Sequence, residues 1–105
     1  MIEVTQETKS DWCVVAISGR ADAEAADQLE SSLRAAIDTH AKVAANLADV
    51  DYISSAGLRA IIQAARAAQA KHATFVVCSL TPSVKKVFDM SGMHHIMRIQ
   101  GDLPC

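Results

Sequence analysis

Apolar and polar side chains alternate with two different periods along the chain, and the changes of period predict an α/β domain. Residues 2–8 alternate, and residues 12–18 form an apolar run, so the two segments predict strands in a hairpin. Gly19 is expected to end the second strand. Apolar side chains from residue 23 to 39 recur at intervals of three and four, which predicts an amphipathic helix with Asp22 as its N-cap.

The middle of the chain repeats this strand and helix alternation. Residues 42–47 predict a third strand, and the two aspartates that follow within the next four positions predict a loop. A second helix is expected from Ser54 or Ser55 to Lys71, because Leu58 begins a new run of apolar residues at helical spacing.

The last third of the chain completes the pattern. Residues 74–78 are apolar enough for a buried strand, and Thr81 followed by Pro82 is a typical helix start. This third helix is expected to stop near Gly92, and residues 96–99 predict a short final strand. The order ββαβαβαβ over residues 1–105 therefore predicts one domain, with a mixed sheet, an antiparallel N-terminal hairpin and helices packed on the sheet.

Composition limits the functions that such a domain can have. The 105 residues include 10 Lys and Arg against 12 Asp and Glu, and the formal net charge is -2. This balance argues against broad electrostatic binding to nucleic acid or to an anionic membrane. No secretory or membrane-spanning segment is predicted, and a cytoplasmic protein is expected.

The three cysteines do not have the spacing of a metal site or a disulfide scaffold. Cys13 and Cys78 lie in apolar runs and are predicted to be buried thiols, whereas Cys105, the last residue, is predicted to be exposed. No metal ion or other cofactor is therefore expected.

Residues 49–59, at the predicted exit from a strand into a helix, hold the most informative chemistry. The helix start carries two hydroxyls, Ser54 and Ser55, beside free backbone N–H groups that favour negative charge. A phosphate on Ser55 would be tolerated there, although Ser54 is also the ordinary choice for an N-cap. Gly57 costs about 1 kcal/mol relative to Ala inside a helix, which indicates that another surface or a ligand approaches the backbone closely.

This segment resembles the phosphorylation loop of STAS-domain anti-sigma factor antagonists of the SpoIIAA and RsbV type. The resemblance extends over nearly the whole chain and involves motifs in the family's order. They are the Gly19 to Asp22 turn, the Asn46 to Asp49 strand exit, Ser54-Ser55-Ala56-Gly57-Leu58, Val76-Val77-Cys78, Thr81-Pro82-Ser83-Val84-Lys85-Lys86-Val87-Phe88 and Met90-Ser91-Gly92.

The resemblance implies that Ser55 is phosphorylated by a partner anti-sigma factor, which is itself a serine kinase with a histidine-kinase-like ATPase fold. A PP2C-type phosphatase would remove the phosphate. The unphosphorylated chain would capture the kinase and free a sigma factor, and phosphorylation would end the capture. Many relatives have aspartate where this chain has Ser54, so two adjacent hydroxyls compete for the phosphate. The partner-binding residues implied by the resemblance are Asp22, Ser54, Ala56, Gly57, Leu58 and Arg59.

Two other classes of function compete with this interpretation. A serine hydrolase would need Gly at position 53 for the G-x-S-x-G turn, and the chain has Ile53. The histidines His72, His94 and His95 show no triad context, so no enzyme activity is expected. A non-switching STAS subunit of a stress-signalling or membrane-transport assembly is the stronger alternative, and such a subunit should keep its partner when Ser55 is changed to Asp.

Overall fold

The computed structural model describes residues 2–101, and their order of elements confirms the predicted ββαβαβαβ arrangement. Met1 and residues 102–105 lie outside the described range, and so does the predicted exposure of Cys105. The elements are β1 (Ile2–Lys9), β2 (Trp12–Ala21), α1 (Ala26–Thr39), β3 (Lys42–Ile53), α2 (Ser55–Ala70), β4 (Thr74–Cys78), α3 (Pro82–Met90), a 3-10 turn (Met93–His95) and β5 (Arg98–Gln100).

The five strands form one mixed sheet in the order β1-β2-β3-β4-β5. Strands β1 and β2 are antiparallel, with Ile2 opposite Gly19 and Lys9 opposite Trp12. All other neighbours are parallel. The predicted mixed sheet with an antiparallel N-terminal hairpin is therefore confirmed.

The main core lies between one face of the sheet and the three helices. Leu29 and Leu33 of α1, Ile61 of α2 and Phe88 of α3 join this cluster and are almost fully buried. A smaller buried cluster on the opposite face of the sheet includes Trp12. Cys13 belongs to the main core and Cys78 to the smaller cluster, so both are buried thiols as predicted. Among residues 2–101, no helix is long and apolar enough to span a membrane.

The prediction that Gly19 ends the second strand is wrong. Gly19 has a φ of 107° and lies inside β2, which continues to Ala21. Its backbone conformation accompanies a shift in the register between β2 and β3, where Gly19 pairs with Val50 but Arg20 pairs with Tyr52. A glycine in a strand is typical of such an irregularity, because it adopts a positive φ without steric cost.

The third strand is also longer than predicted. Asp49 and Asp51 lie within β3 and not in a loop after it. The register with β2 shifts twice, once after Asn46 and once after Val50, and each shift adds an extra residue to β3. These two bulges break the alternation expected of a strand. Three buried residues of β3 are consequently spaced by three positions: Leu47, Val50 and Ile53.

The first helix begins later than predicted. Its N-cap is Ala25, which has no capping side chain, and Asp22 instead caps the turn before the helix. The backbone N–H of Ala25 donates to the carbonyl and to Oδ1 of Asp22, both at 3.1 Å. Aspartate side chains favour such local turns over a helical continuation. The last strand also differs, because Ile96 is the C-cap of the 3-10 turn and β5 begins only at Arg98.

Candidate functional site

The candidate site lies at the carboxyl edge of the sheet, where β2 and β3 end side by side. Ala21, the last residue of β2, pairs with Ile53, the last residue of β3, and α2 begins two residues later at Ser55. Ligands and partners of parallel sheets tend to bind at this edge.

Ser54 is held in place by four hydrogen bonds, one of which runs from the backbone N–H of Leu58 to the Ser54 carbonyl at 2.9 Å. Its backbone N–H donates to the carbonyl of Ala21 at 2.9 Å, and its hydroxyl donates to the same carbonyl at 3.2 Å. The hydroxyl also accepts from the backbone N–H of Gly57 at 3.1 Å, which makes Ser54 the N-cap of α2. Both functions of this hydroxyl are therefore used to fix the helix start on the end of β2.

Ser55 occupies the first position of α2, and its side chain is exposed. Within residues 2–101, no hydrogen bond engages its hydroxyl. The neighbouring serines thus differ sharply: Ser54 holds the turn together, and Ser55 presents a free hydroxyl at the positive end of a helix dipole.

Gly57 explains why the helix start fits so closely against β2. A Cβ atom at this position would lie 2.5 Å from the carbonyl oxygen of Ala21 and 2.9 Å from Cγ1 of Ile53. The close surface expected from the sequence is therefore the protein's own sheet edge. Only glycine permits this contact without a shift of the helix.

The other predicted site residues divide into buried and exposed groups. Leu58 is buried in the core, and Ala56 is half-buried. Arg59 is exposed one turn after Ser55, and Asp22 is half-buried directly after Ala21. The structure thus brings all seven predicted residues to one edge, although only Ser55 and Arg59 are exposed there.

Two features of this edge were missed by reasoning from the sequence. The guanidinium of Arg20 stacks over the ring of Tyr52, with Cζ 4.2 Å from the ring centroid. The hydroxyl of Thr81 donates to the carbonyl of Val50 at 2.8 Å and so ties the start of α3 to β3. The N-cap role of Thr81 could be predicted from the sequence. Its hydrogen bond to Val50 and the stacking of Arg20 on Tyr52 could not, because both depend on the strand register that the two bulges set.

Two acidic side chains lie close to the end of β3 at this edge. Asp49 and Asp51 are exposed near the end of β3, and Arg20 is the cation closest to them along the paired strand. The four ion pairs described within residues 2–101 all lie elsewhere and involve neither aspartate. In the same range, no group of three or more His, Cys, Asp and Glu side chains could hold a metal ion.

The chain belongs to the STAS domain family, whose profile matches residues 2–104. It is 31% identical over 99 residues to BtrV of Bordetella bronchiseptica, a protein whose name places it with the anti-sigma factor antagonists. That match covers 93% of this chain and 85% of BtrV.

Solved structures share the fold at low sequence identity. An anti-sigma factor antagonist from Mycobacterium paratuberculosis has a TM-score of 0.83 at 22% identity, covering 98% of this chain and 88% of that one. The phosphorylated form of the Bacillus protein SpoIIAA has a TM-score of 0.69 at 20% identity, with coverages of 92% and 90%. A sulfate transporter family protein from Wolinella succinogenes has a TM-score of 0.78 at 13% identity, with coverages of 92% and 82%. These similarities establish the STAS fold.

Proposed function

We propose that this STAS domain is a phosphorylation-controlled anti-sigma factor antagonist. In its unphosphorylated form it binds an anti-sigma factor that is a serine kinase, and phosphorylation of Ser55 releases that partner. The main support is the exposed hydroxyl of Ser55 at the start of α2, on a turn that the neighbouring residues lock in place. The relationship to BtrV supports the same class of function.

The hydrogen bonds favour Ser55 over Ser54 as the phosphate acceptor. A phosphate on Ser54 would remove the hydroxyl proton that bonds to Ala21 and would place negative charge beside that carbonyl oxygen. It would also disturb the cap on the Gly57 N–H. A phosphate on Ser55 breaks none of these contacts and lies near unpaired N–H groups of the first helical turn.

The same geometry explains how a phosphate could release a partner without unfolding the domain. A phosphoserine adds about -1.5 to -2 charge at pH 7, and a helix N-terminus stabilises such charge by roughly 0.3–1 kcal/mol. The partner, in contrast, must remove water from that charge on an edge that already holds Asp49 and Asp51. Desolvating an uncompensated charge costs several kcal/mol, and about 1.4 kcal/mol corresponds to tenfold in affinity.

Phosphorylation can be tested with purified serine kinases of the histidine-kinase-like class from the source organism. We expect one of them, with ATP, to add a single phosphate that mass spectrometry places on Ser55. Ser55→Ala should abolish the modification, whereas Ser54→Ala should retain it on a less stable protein. A phosphate that persists in Ser55→Ala, or no phosphate with any such kinase, would contradict the proposal.

Release can be tested separately with two variants of nearly equal side-chain volume. Ser55→Asp adds a charge, and Ser55→Asn adds a similar group without one. We expect Ser55→Asp to weaken binding of the phosphorylating kinase at least tenfold in isothermal titration calorimetry, and Ser55→Asn to weaken it by much less. Equal losses would show that bulk, and not charge, ends the interaction.

The chain itself contributes no catalytic group in this proposal, and a PP2C-type phosphatase resets the switch in the cytoplasm. The alternative is a non-switching STAS subunit of a stress-signalling or membrane-transport assembly. The observation that supports this second candidate is the fold that the chain shares with the Wolinella sulfate transporter family protein. Under that alternative, Ser55→Asp would leave partner binding unchanged.

A further inference from the structure

We propose that the stacked pair of Arg20 and Tyr52 is a second anchor for the kinase partner, beside the switch serine. This inference rests on the proposed function, because the partner is the kinase that phosphorylates Ser55. The partner surface that fits the pair carries a carboxylate next to an apolar side chain.

The position of the pair is fixed by the same contacts that fix the switch. Arg20 pairs with Tyr52 across β2 and β3, one step before the pair of Ala21 and Ile53. The side chains of Ala21 and Ile53 face α2, since both would contact a Cβ atom on Gly57. Successive side chains of a strand point to opposite faces, so Arg20 and Tyr52 lie on the other face of the same edge.

The distance from the switch is small compared with the size of an interface. Ser55 lies three positions after Tyr52, which places their Cα atoms at most about 11 Å apart. A standard interface buries roughly 800 Å² on each partner, equivalent to a disc of radius roughly 16 Å. The stacked pair therefore lies within reach of a partner that is centred on Ser55 and extends over the sheet edge.

The chemistry of the pair suits an anchor. Tyr52 is 41% exposed, although it is a large aromatic side chain on a central strand, one residue before the strand ends. The guanidinium above its ring holds both side chains in place, so less conformational freedom is lost on binding. Tyrosine and arginine are also enriched among the residues that dominate binding energy.

Charge indicates what the partner presents to this pair. No ion pair or side-chain hydrogen bond engages Arg20 within the described part of the chain, so its N–H groups remain available for a carboxylate. A cation stacked on an aromatic ring interacts more strongly once water is removed, and docking would remove that water. An apolar side chain beside the carboxylate would cover the exposed part of Tyr52.

The test compares binding of the phosphorylating kinase to four purified variants by isothermal titration calorimetry. We expect Tyr52→Ala and Arg20→Ala each to weaken binding at least tenfold, and Tyr52→Phe, which keeps the stacked ring, to change it less than threefold. Ile96→Ala is the matched control, because Ile96 is also a large apolar residue and is 45% exposed. It lies beside Thr74, the first residue of β4, and so at the sheet edge opposite to that of Tyr52. It should bind like the wild type.

A kinetic measurement separates this anchor from the switch. Tyr52→Ala should raise the KM for phosphorylation of Ser55 while leaving kcat unchanged, with a melting temperature close to that of the wild type. Wild-type affinity and KM in Tyr52→Ala would overturn the anchor while the proposed function stands. Failure of every kinase to phosphorylate the wild-type chain would overturn both.

Discussion

Replacing Gly57 with alanine tests how closely the start of α2 packs against β2, because helix propensity and the tertiary contact predict stability changes of opposite sign. In an isolated helix, Gly→Ala stabilises by about 1 kcal/mol. Here the new Cβ would lie 2.5 Å from the carbonyl oxygen of Ala21, closer than the 3.0 Å that real Cβ contacts reach. The start of α2 must therefore withdraw by at least 0.5 Å.

The cost follows from what that withdrawal disturbs. Inserting a methyl group into a tightly packed site costs about 1–3 kcal/mol. A 0.5 Å shift would stretch the hydrogen bond from the Ser54 hydroxyl to Ala21 from 3.2 Å to about 3.7 Å, and its loss costs about 1 kcal/mol. After the propensity gain is subtracted, Gly57→Ala should destabilise the protein by about 1–3 kcal/mol, which lowers Tm by roughly 5–20 °C for a domain of this size.

Urea denaturation followed by circular dichroism measures this change directly. Gly101→Ala is the matched control, because a Cβ atom at Gly101 would have no neighbour within 4 Å among residues 2–101. Its free energy of unfolding should stay within about 0.5 kcal/mol of the wild type. A Gly57→Ala protein as stable as the wild type, or more stable, would show that the helix start does not press on β2 and would refute the reasoning.

Three further perturbations probe the caps and the buried thiol. Ser54→Ala should lower the free energy of unfolding by about 1–2 kcal/mol in urea denaturation, because α2 loses its N-cap and the hydrogen bond to Ala21. Thr81→Val should cost about 1–2 kcal/mol in the same assay, since it removes the cap of α3 and the bond to Val50. Burial raises the pKa of the Cys78 thiol to about 11, so iodoacetamide at pH 8 should label Cys78 only after denaturation. Because the unfolded thiol ionises first, the free energy of unfolding should fall as the pH rises from about 9 towards 11, and should fall less in Cys78→Ala.

Features set by neighbouring residues could be predicted from the sequence. The strand β4 has the predicted bounds, and the caps Ser54 and Thr81 were both identified from local patterns. Each depends on side chains within three or four positions along the chain.

Features set by strand pairing could not be predicted. Leu47, Val50 and Ile53 recur at intervals of three, which matches neither a regular strand nor a complete helical face. The spacing makes sense only when β2 lies alongside and shows where β3 gains its extra residues. The stacking of Arg20 on Tyr52 follows from the same register and has no local signal.

The turn before α2 depends on a single acceptor, and this arrangement determines how a phosphate can act. The carbonyl of Ala21 accepts two hydrogen bonds from Ser54 and lies against Gly57, so the backbone on either side of Ser55 is fixed. A phosphate on Ser55 would lie at a helix N-terminus, which stabilises negative charge, and it would break none of these contacts. The fold would therefore not need to rearrange. A charge of about -1.5 to -2 is nearly as large as the formal net charge of -2. Salt screens exposed charges beyond about 8 Å, however. The phosphate would therefore weaken binding through its repulsion and desolvation at this edge, and the net charge of the whole domain would matter little.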